Sequence, residues 1–221
     1  MILRPVLRSG LRLAAGVAVV TALSGCALLS TPDPVQNFRF GLPLEAPSAV
    51  GDTPAPLTVS IRRIEFPQAT GDDRILGVTG LETAYIGGVR WVSPASTLFD
   101  DSLKAAFANR ADQIRVLGRR EPGTPPMVLQ VTVTSFEARY AAPGAAPEVV
   151  ITAQAQLRTT PERRAASAAA VRPEEARSVE RIFTVTQPAT ENRVSAIVAA
   201  FDTATRDINT QIADWTIRSA N

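Results

Sequence analysis

The feature that most constrains this chain is its single cysteine, Cys26, and what stands in front of it. Arg4, Arg8 and Arg12 form a cationic start without an acidic residue before Cys26. An apolar run from Leu13 to Leu23 follows, and Leu23-Ser24-Gly25 leads into the cysteine. A cationic region, a short apolar region and small residues make a secretory signal peptide. The run is shorter than the ~20 residues that cross a bilayer, so it does not read as a permanent span. Removing the 25-residue leader from 221 residues leaves 196, with the only thiol at the new first position. The mature chain can therefore make no internal disulfide and must hold itself together by burying a core, for which its length suffices.

Leu23-Ser24-Gly25-Cys26 resembles the lipobox of bacterial lipoproteins. The resemblance implies that the Cys26 thiol carries a diacylglyceryl group, that cleavage precedes it and that the new amine is acylated, palmitate being the usual chain. Several buried chains at ~0.8 kcal/mol per CH₂ hold a protein stably, where one chain does not. The alternative is an ordinary signal peptide with a chance cysteine. In the lipoprotein class an Asp after the cysteine favours inner-membrane retention, so the resemblance with Ala27 in that place implies the outer membrane.

Cleavage also changes the charge. The precursor has 23 basic and 21 acidic side chains, and the leader takes three basic ones with it. The remaining 20 basic against 21 acidic side chains sum to −1, and no basic patch with interleaved aromatics suggests nucleic acid. The chain has no histidine. That removes the commonest general base and metal ligand, and with Cys26 acylated no thiol is left for soft metals. No metal and no cofactor beyond the lipid on Cys26 is expected. Lys104, the only lysine, sits beside Asp100 and Asp101 and reads as half of a surface ion pair. Asp72-Asp73 read as turn solvation, and Gly77, Gly80, Gly87 and Gly88 lack dinucleotide-binding spacing.

Residues 26–56 carry Pro32, Pro34, Pro43, Pro47, Pro54 and Pro56 and read as an extended tether, within which Asn37–Leu42 can form one short strand. A single domain over 57–221 follows. Leu57, Val59 and Ile61 alternate as a strand, and the phase slips at Arg62-Arg63 as at a bulge. Arg74–Val78 and Glu82–Ile86 predict a hairpin leading to Val89-Arg90-Trp91. Ser93 as N-cap and Pro94 at the first position predict a helix over about 95–109 with Leu98, Phe99, Leu103, Ala106 and Phe107 inward. Ile114–Leu117 is a short strand. Met127–Phe136 with a phase change near Ser135, Val149–Arg158 and Val179–Gln187 are three longer ones, joined by a loop over 118–126, turn residues over 143–147 and a charged connection over 159–175. Val194, Ile197, Val198, Phe201, Ala204, Ile208, Ile212 and Trp215 form the apolar stripe of a final helix. Arg193, Asp202, Arg206, Asp207, Asn209 and Asp214 fall on its polar side, and Thr190 is the expected N-cap. The expected fold is α+β: an antiparallel, mostly meander sheet with two helices on one face.

Tyr85, Ile86 and Trp91 are the candidate partner-facing residues, with core packing as the alternative. The leader, the strand around Phe38-Arg39-Phe40, Ala84-Tyr85…Arg90-Trp91 before the first helix and the last helix ending Ala213-Asp214-Trp215 together resemble the ABC-type transport auxiliary lipoproteins. That family includes the paraquat-inducible outer-membrane lipoproteins. The resemblance implies a non-enzymatic, periplasm-facing accessory of an ABC permease and ATPase, reached through a periplasmic protein with a mammalian-cell-entry domain. Such systems move lipids or other hydrophobic molecules between membranes. Self-association is left open. The rivals are a structural or assembly lipoprotein of another outer-membrane machine and a periplasmic hydrolase, which the residue inventory disfavours.

Overall fold

In the computed structural model the described residues are 35–41, 57–118, 125–159 and 177–220. The leader, Cys26, most of the tether and most of the 118–126 and 159–175 connections lie outside them. Strand β7 (Met127–Tyr140) organises the sheet. Along one edge it pairs antiparallel with β8 (Glu148–Thr159), which pairs antiparallel with β9 (Arg177–Pro188). The other edge is shared. The start of β7 takes β2 (Leu57–Ile61) and its end takes β3 (Leu76–Thr79), both parallel. β6 (Ile114–Val116) lies parallel outside β2, and β4 (Glu82–Tyr85) closes a hairpin outside β3.

The long pairs and the β3–β4 hairpin are antiparallel, as alternation and turn signals predicted, while β2–β6, β2–β7 and β3–β7 are parallel. The reason is connectivity. β2 reaches β6 only through helix α1 (Ala95–Ala108), and parallel neighbours need such a crossover. The slip at Arg62-Arg63 is a true bulge. Ile61 faces Leu129 and Glu65 faces Thr132, so four steps on one strand match three on the other. The phase change near Ser135 is likewise a register shift in β7.

The tether strand departs from the main sheet. β1 (Gln36–Phe38) pairs in parallel with β5 (Val89–Trp91) as a separate two-stranded ribbon. It delivers Phe40 to the core, where the ring meets Trp91 at 4.8 Å and Phe136 at 5.3 Å. Phe136 also contacts Phe66, Phe99 and Phe201, so one ring from β7 joins the ribbon, the bulge, α1 and the last helix, α2 (Val194–Ala220). α2 lies over β8 and β9, with Phe183 and Trp215 edge to face at 5.8 Å. The inward residues of β8 (Val149, Ile151, Ala153, Ala155 and Leu157) are all fully buried beneath the helices.

Three details depart from expectation. Pro94, not Ser93, takes the N-cap position of α1, with extended ψ 135 and no side-chain bond. The first helical N–H groups of Ala95 and Ser96 are instead satisfied by the carbonyls of Asp72 and Gly71, so a neighbouring loop replaces a capping hydroxyl. α2 starts at Val194, and Thr190 lies in the bend before it, too early to cap. Asn209, assigned to the polar side, is fully buried, and neither end of its amide has a partner; the Thr205 hydroxyl one turn earlier is unpaired as well. Helical spacing gave the stripe its centre but not its width, which α1 broadens by packing beside α2. Unpaired buried amide groups cost about 1–3 kcal/mol each. Asn209→Leu is therefore expected to raise the unfolding free energy in urea melts of the detergent-solubilised protein by about that much. A loss of stability would show instead that the amide is hydrogen-bonded in solution.

Where the ribbon ends, the chain passes between the helices at Gly41. Its φ is +71, its N–H donates to Asp202 Oδ1 at 2.7 Å, and a Cβ there would stand 2.6 Å from Ser102 Cβ. Gly41→Ala is expected to cost about 1–2 kcal/mol for the left-handed conformation alone, with the collision in addition. Ser102→Gly should restore only the collision part. A Gly41→Ala protein with an unchanged melting temperature would contradict this packing. At the other end of α1, Arg110 donates to the Ala106 carbonyl at 2.8 Å and pairs with Asp214 at 2.6 Å, tying the two helices together.

Candidate interaction surface

The three candidate partner-facing residues separate in the structure. Trp91 is 2 % exposed, with its ring edge to face with Phe40 at 4.8 Å and with Phe201 at 5.4 Å. It is a core residue and not a partner contact. The cause is β5, which alternates inward, outward and inward, so that Val89 and Trp91 point to the core and Arg90 to solvent. Ile86 is half-buried against the core, with its N–H on the Ile75 carbonyl at 2.9 Å. Only Tyr85 stays at the surface, 37 % exposed.

Tyr85 is nevertheless held rigidly. The Arg74 guanidinium sits 3.7 Å above its ring, a cation–π contact, and its hydroxyl donates to the Ala69 carbonyl at 3.1 Å. Beside it Arg90 forks onto both Asp73 oxygens at 3.0 and 2.8 Å. Both partners of that pair are largely solvated, so it orients the chain more than it stabilises it. Sequence reading missed Arg74 and Asp73. The signal was present: a hairpin that pairs Leu76 with Tyr85 brings the residues just before Leu76 up to the tyrosine.

All four residues of β4 are exposed, and among the described residues no strand pairs along its outer edge. Such an edge offers unpaired backbone groups to another chain. Tyr140 lies behind the hairpin, with its ring carbon 3.2 Å from where a Cβ on Gly77 would stand. Burial pushes its phenol above the ordinary value, so this group holds stability up to about pH 10 and loses it only as the phenol ionises above that. Between the bulge and the start of α1 lies an open depression of about 480 Å³ lined by Arg63, Glu65, Phe66, Pro67, Asp72 and Ser96. The arrangement around Tyr85 suits binding. It is a preorganised aromatic on a strand edge that no described strand covers, backed by a rigid core.

Comparison with known proteins agrees with the fold. A Xanthomonas campestris protein of known crystal structure superposes with a TM-score of 0.64 at 21% identity, covering 84% of this chain and 96% of its own. A second, uncharacterised crystal structure gives 0.61 at 15% identity, covering 82% and 98%. No curated protein matches the chain. The sequence pattern of the ABC-type transport auxiliary lipoprotein components matches residues 40–213, from the buried Phe40 to Ala213 in the last helix. That span takes in every described element but the first short strand and the last two turns of α2. The family is described as an auxiliary lipoprotein component of ABC-type transport. The chain therefore belongs to the family of ABC-type transport auxiliary lipoprotein components.

Proposed function

We propose that this protein is the outer-membrane-anchored, periplasm-facing accessory of an ABC transport system that handles lipids or other hydrophobic molecules. Cys26 carries the covalent lipid, and the residues from Ala27 onward lead to the folded domain. The partner is the transporter's permease and ATPase, met through a periplasmic protein with a mammalian-cell-entry domain. The observation that carries this reading is the family match spanning the folded domain, joined to a leader that ends in Leu23-Ser24-Gly25-Cys26. The contact is placed on the free edge of β4, where Tyr85 is exposed yet pinned by Arg74.

A photo-crosslinker at Thr83 or Tyr85 in the native host tests it. Both positions should capture a transporter component, and a crosslinker at Ile182, exposed on β9, should not. Capture only of proteins belonging to another outer-membrane assembly would overturn the transport reading. Equal capture of the transporter at all three positions would overturn the choice of surface.

A further inference from the structure

Three strands lie at the edges of the main sheet, and they differ in length. β6 has three residues and β4 four, short enough to blunt pairing with other chains. β9 has twelve, and among the described residues no strand pairs along its outer edge. Its pairing with β8 runs through twelve positions without a register shift, and no proline lies between Arg177 and Gln187. The devices that commonly protect an edge are a bulge, a proline or a short strand. All three are missing where the described edge is longest.

The backbone bonds fix which residues of β9 face outward. Ala189 N donates to the Pro147 carbonyl at 2.9 Å, so residues 147 and 189 form a hydrogen-bonded pair. Such pairs recur at every second position of an antiparallel ladder. The odd-numbered residues of β9 therefore bond to β8, and Ser178, Glu180, Ile182, Thr184 and Thr186 turn their N–H and C=O groups to the outer edge. The side chains of all five are exposed, that of Ile182 by 65 %.

These five positions are symmetric about Ile182, and that symmetry selects the occupant. A second copy of β9 laid antiparallel, with Ile182 opposite Ile182, sets Glu180 against Thr184, Ser178 against Thr186, Val179 against Val185 and Arg177 against Gln187. Arg181, whose guanidinium already lies 5.1 Å from the Phe183 ring, then stands opposite the Phe183 of the second copy as well. No like charges oppose each other in this register. Centring the pair on residue 180 or 181 would set two glutamates or two arginines face to face, which destabilises a cross-strand pair. Centring it on residue 183 or 184 would bring Pro188, which has no N–H to donate, into the ladder.

We propose that two copies of this protein associate through their β9 strands across a two-fold axis at Ile182, making one continuous antiparallel sheet. Each of the five outward positions exchanges two backbone bonds with the other copy, and the two exposed isoleucines cover one another. β4 and β9 lie at opposite edges, in the order β4–β3–β7–β8–β9, so the pairing leaves the Tyr85 surface open. Pairing at β9 is independent of which assembly meets β4.

Cysteines and a proline placed in the full-length protein in its own membranes test the pairing. Opposed residues of a hydrogen-bonded pair have Cα atoms about 5.5 Å apart, within disulfide reach. The two copies of residue 184 would be about 13 Å apart, four steps out of register. Under mild oxidation Ile182→Cys should form a covalent dimer and Thr184→Cys alone should not. Glu180→Cys co-expressed with Thr184→Cys should crosslink, each result being read against the unsubstituted protein. Thr184→Pro removes an outward N–H and leaves the β8 ladder intact. It should halve the mass of the detergent-solubilised protein in sedimentation without changing its circular-dichroism spectrum. A monomeric unsubstituted protein with no crosslink at 182 would overturn the pairing. Thr184→Cys crosslinking to itself as readily as Ile182→Cys would overturn the two-fold register. Crosslinking of Ile182→Cys only to a different protein would overturn the choice of a second copy.

Discussion

Cys26→Ala is expected to abolish acylation and move the protein from the membrane fraction to the soluble one. A single myristoyl-type chain gives only about 10⁴ M⁻¹ of membrane affinity, whereas two or three chains at ~0.8 kcal/mol per buried CH₂ make release negligible. Among the described residues no helix is long and apolar enough to cross a membrane. The folded domain should survive, since Cys26 precedes the first described residue by nine positions. Fatty-acid labelling and vesicle flotation check the prediction. A Cys26→Ala protein that still floats and still takes up label would contradict it.

Trp91→Ala is expected to cost about 3–5 kcal/mol of stability, in the range of buried large-aromatic truncations. The loss is large because the indole touches both Phe40 and Phe201, and through them the ribbon and α2. Its Nε1 has no hydrogen-bond partner, so Trp91→Phe loses area but no bond and should cost much less. Thermal unfolding of the detergent-solubilised variants followed by circular dichroism measures both. A Trp91→Ala protein with a wild-type melting temperature and reduced crosslinking to a transporter component would return Trp91 to the binding surface.

That tryptophan shows how far the sequence was legible. Period-2 alternation in β8 and the 3.6 period of α2 are long, repeated signals, and they marked the inward face of β8 and the centre of the α2 stripe, each position being supported by several neighbours, while the buried Asn209 at the stripe's margin escaped them. β5 has three residues, so alternation alone could not say whether Trp91 or Arg90 points inward. The parallel pairs were hidden for a different reason. Which edge of β7 receives β2 and β3 depends on crossovers through α1 and the bulge at Arg62–Ile64, and these are long-range matters without a local signature. The cap at Ser93 followed a good local rule and lost to the loop carbonyls of Gly71 and Asp72, which tertiary packing brings to the same N–H groups. At the candidate surface, Tyr85 was visible as an aromatic in an edge hairpin. Arg74 and Asp73, which fix its surroundings, became visible only with the hairpin register.

The most direct measurement is the intact mass of the N-terminal peptide from protein purified out of its own membranes. The account predicts a chain that begins at Cys26 and carries a diacylglyceryl thioether and an acylated amine. An unmodified Cys26 thiol, or the leader still attached ahead of it, would contradict it.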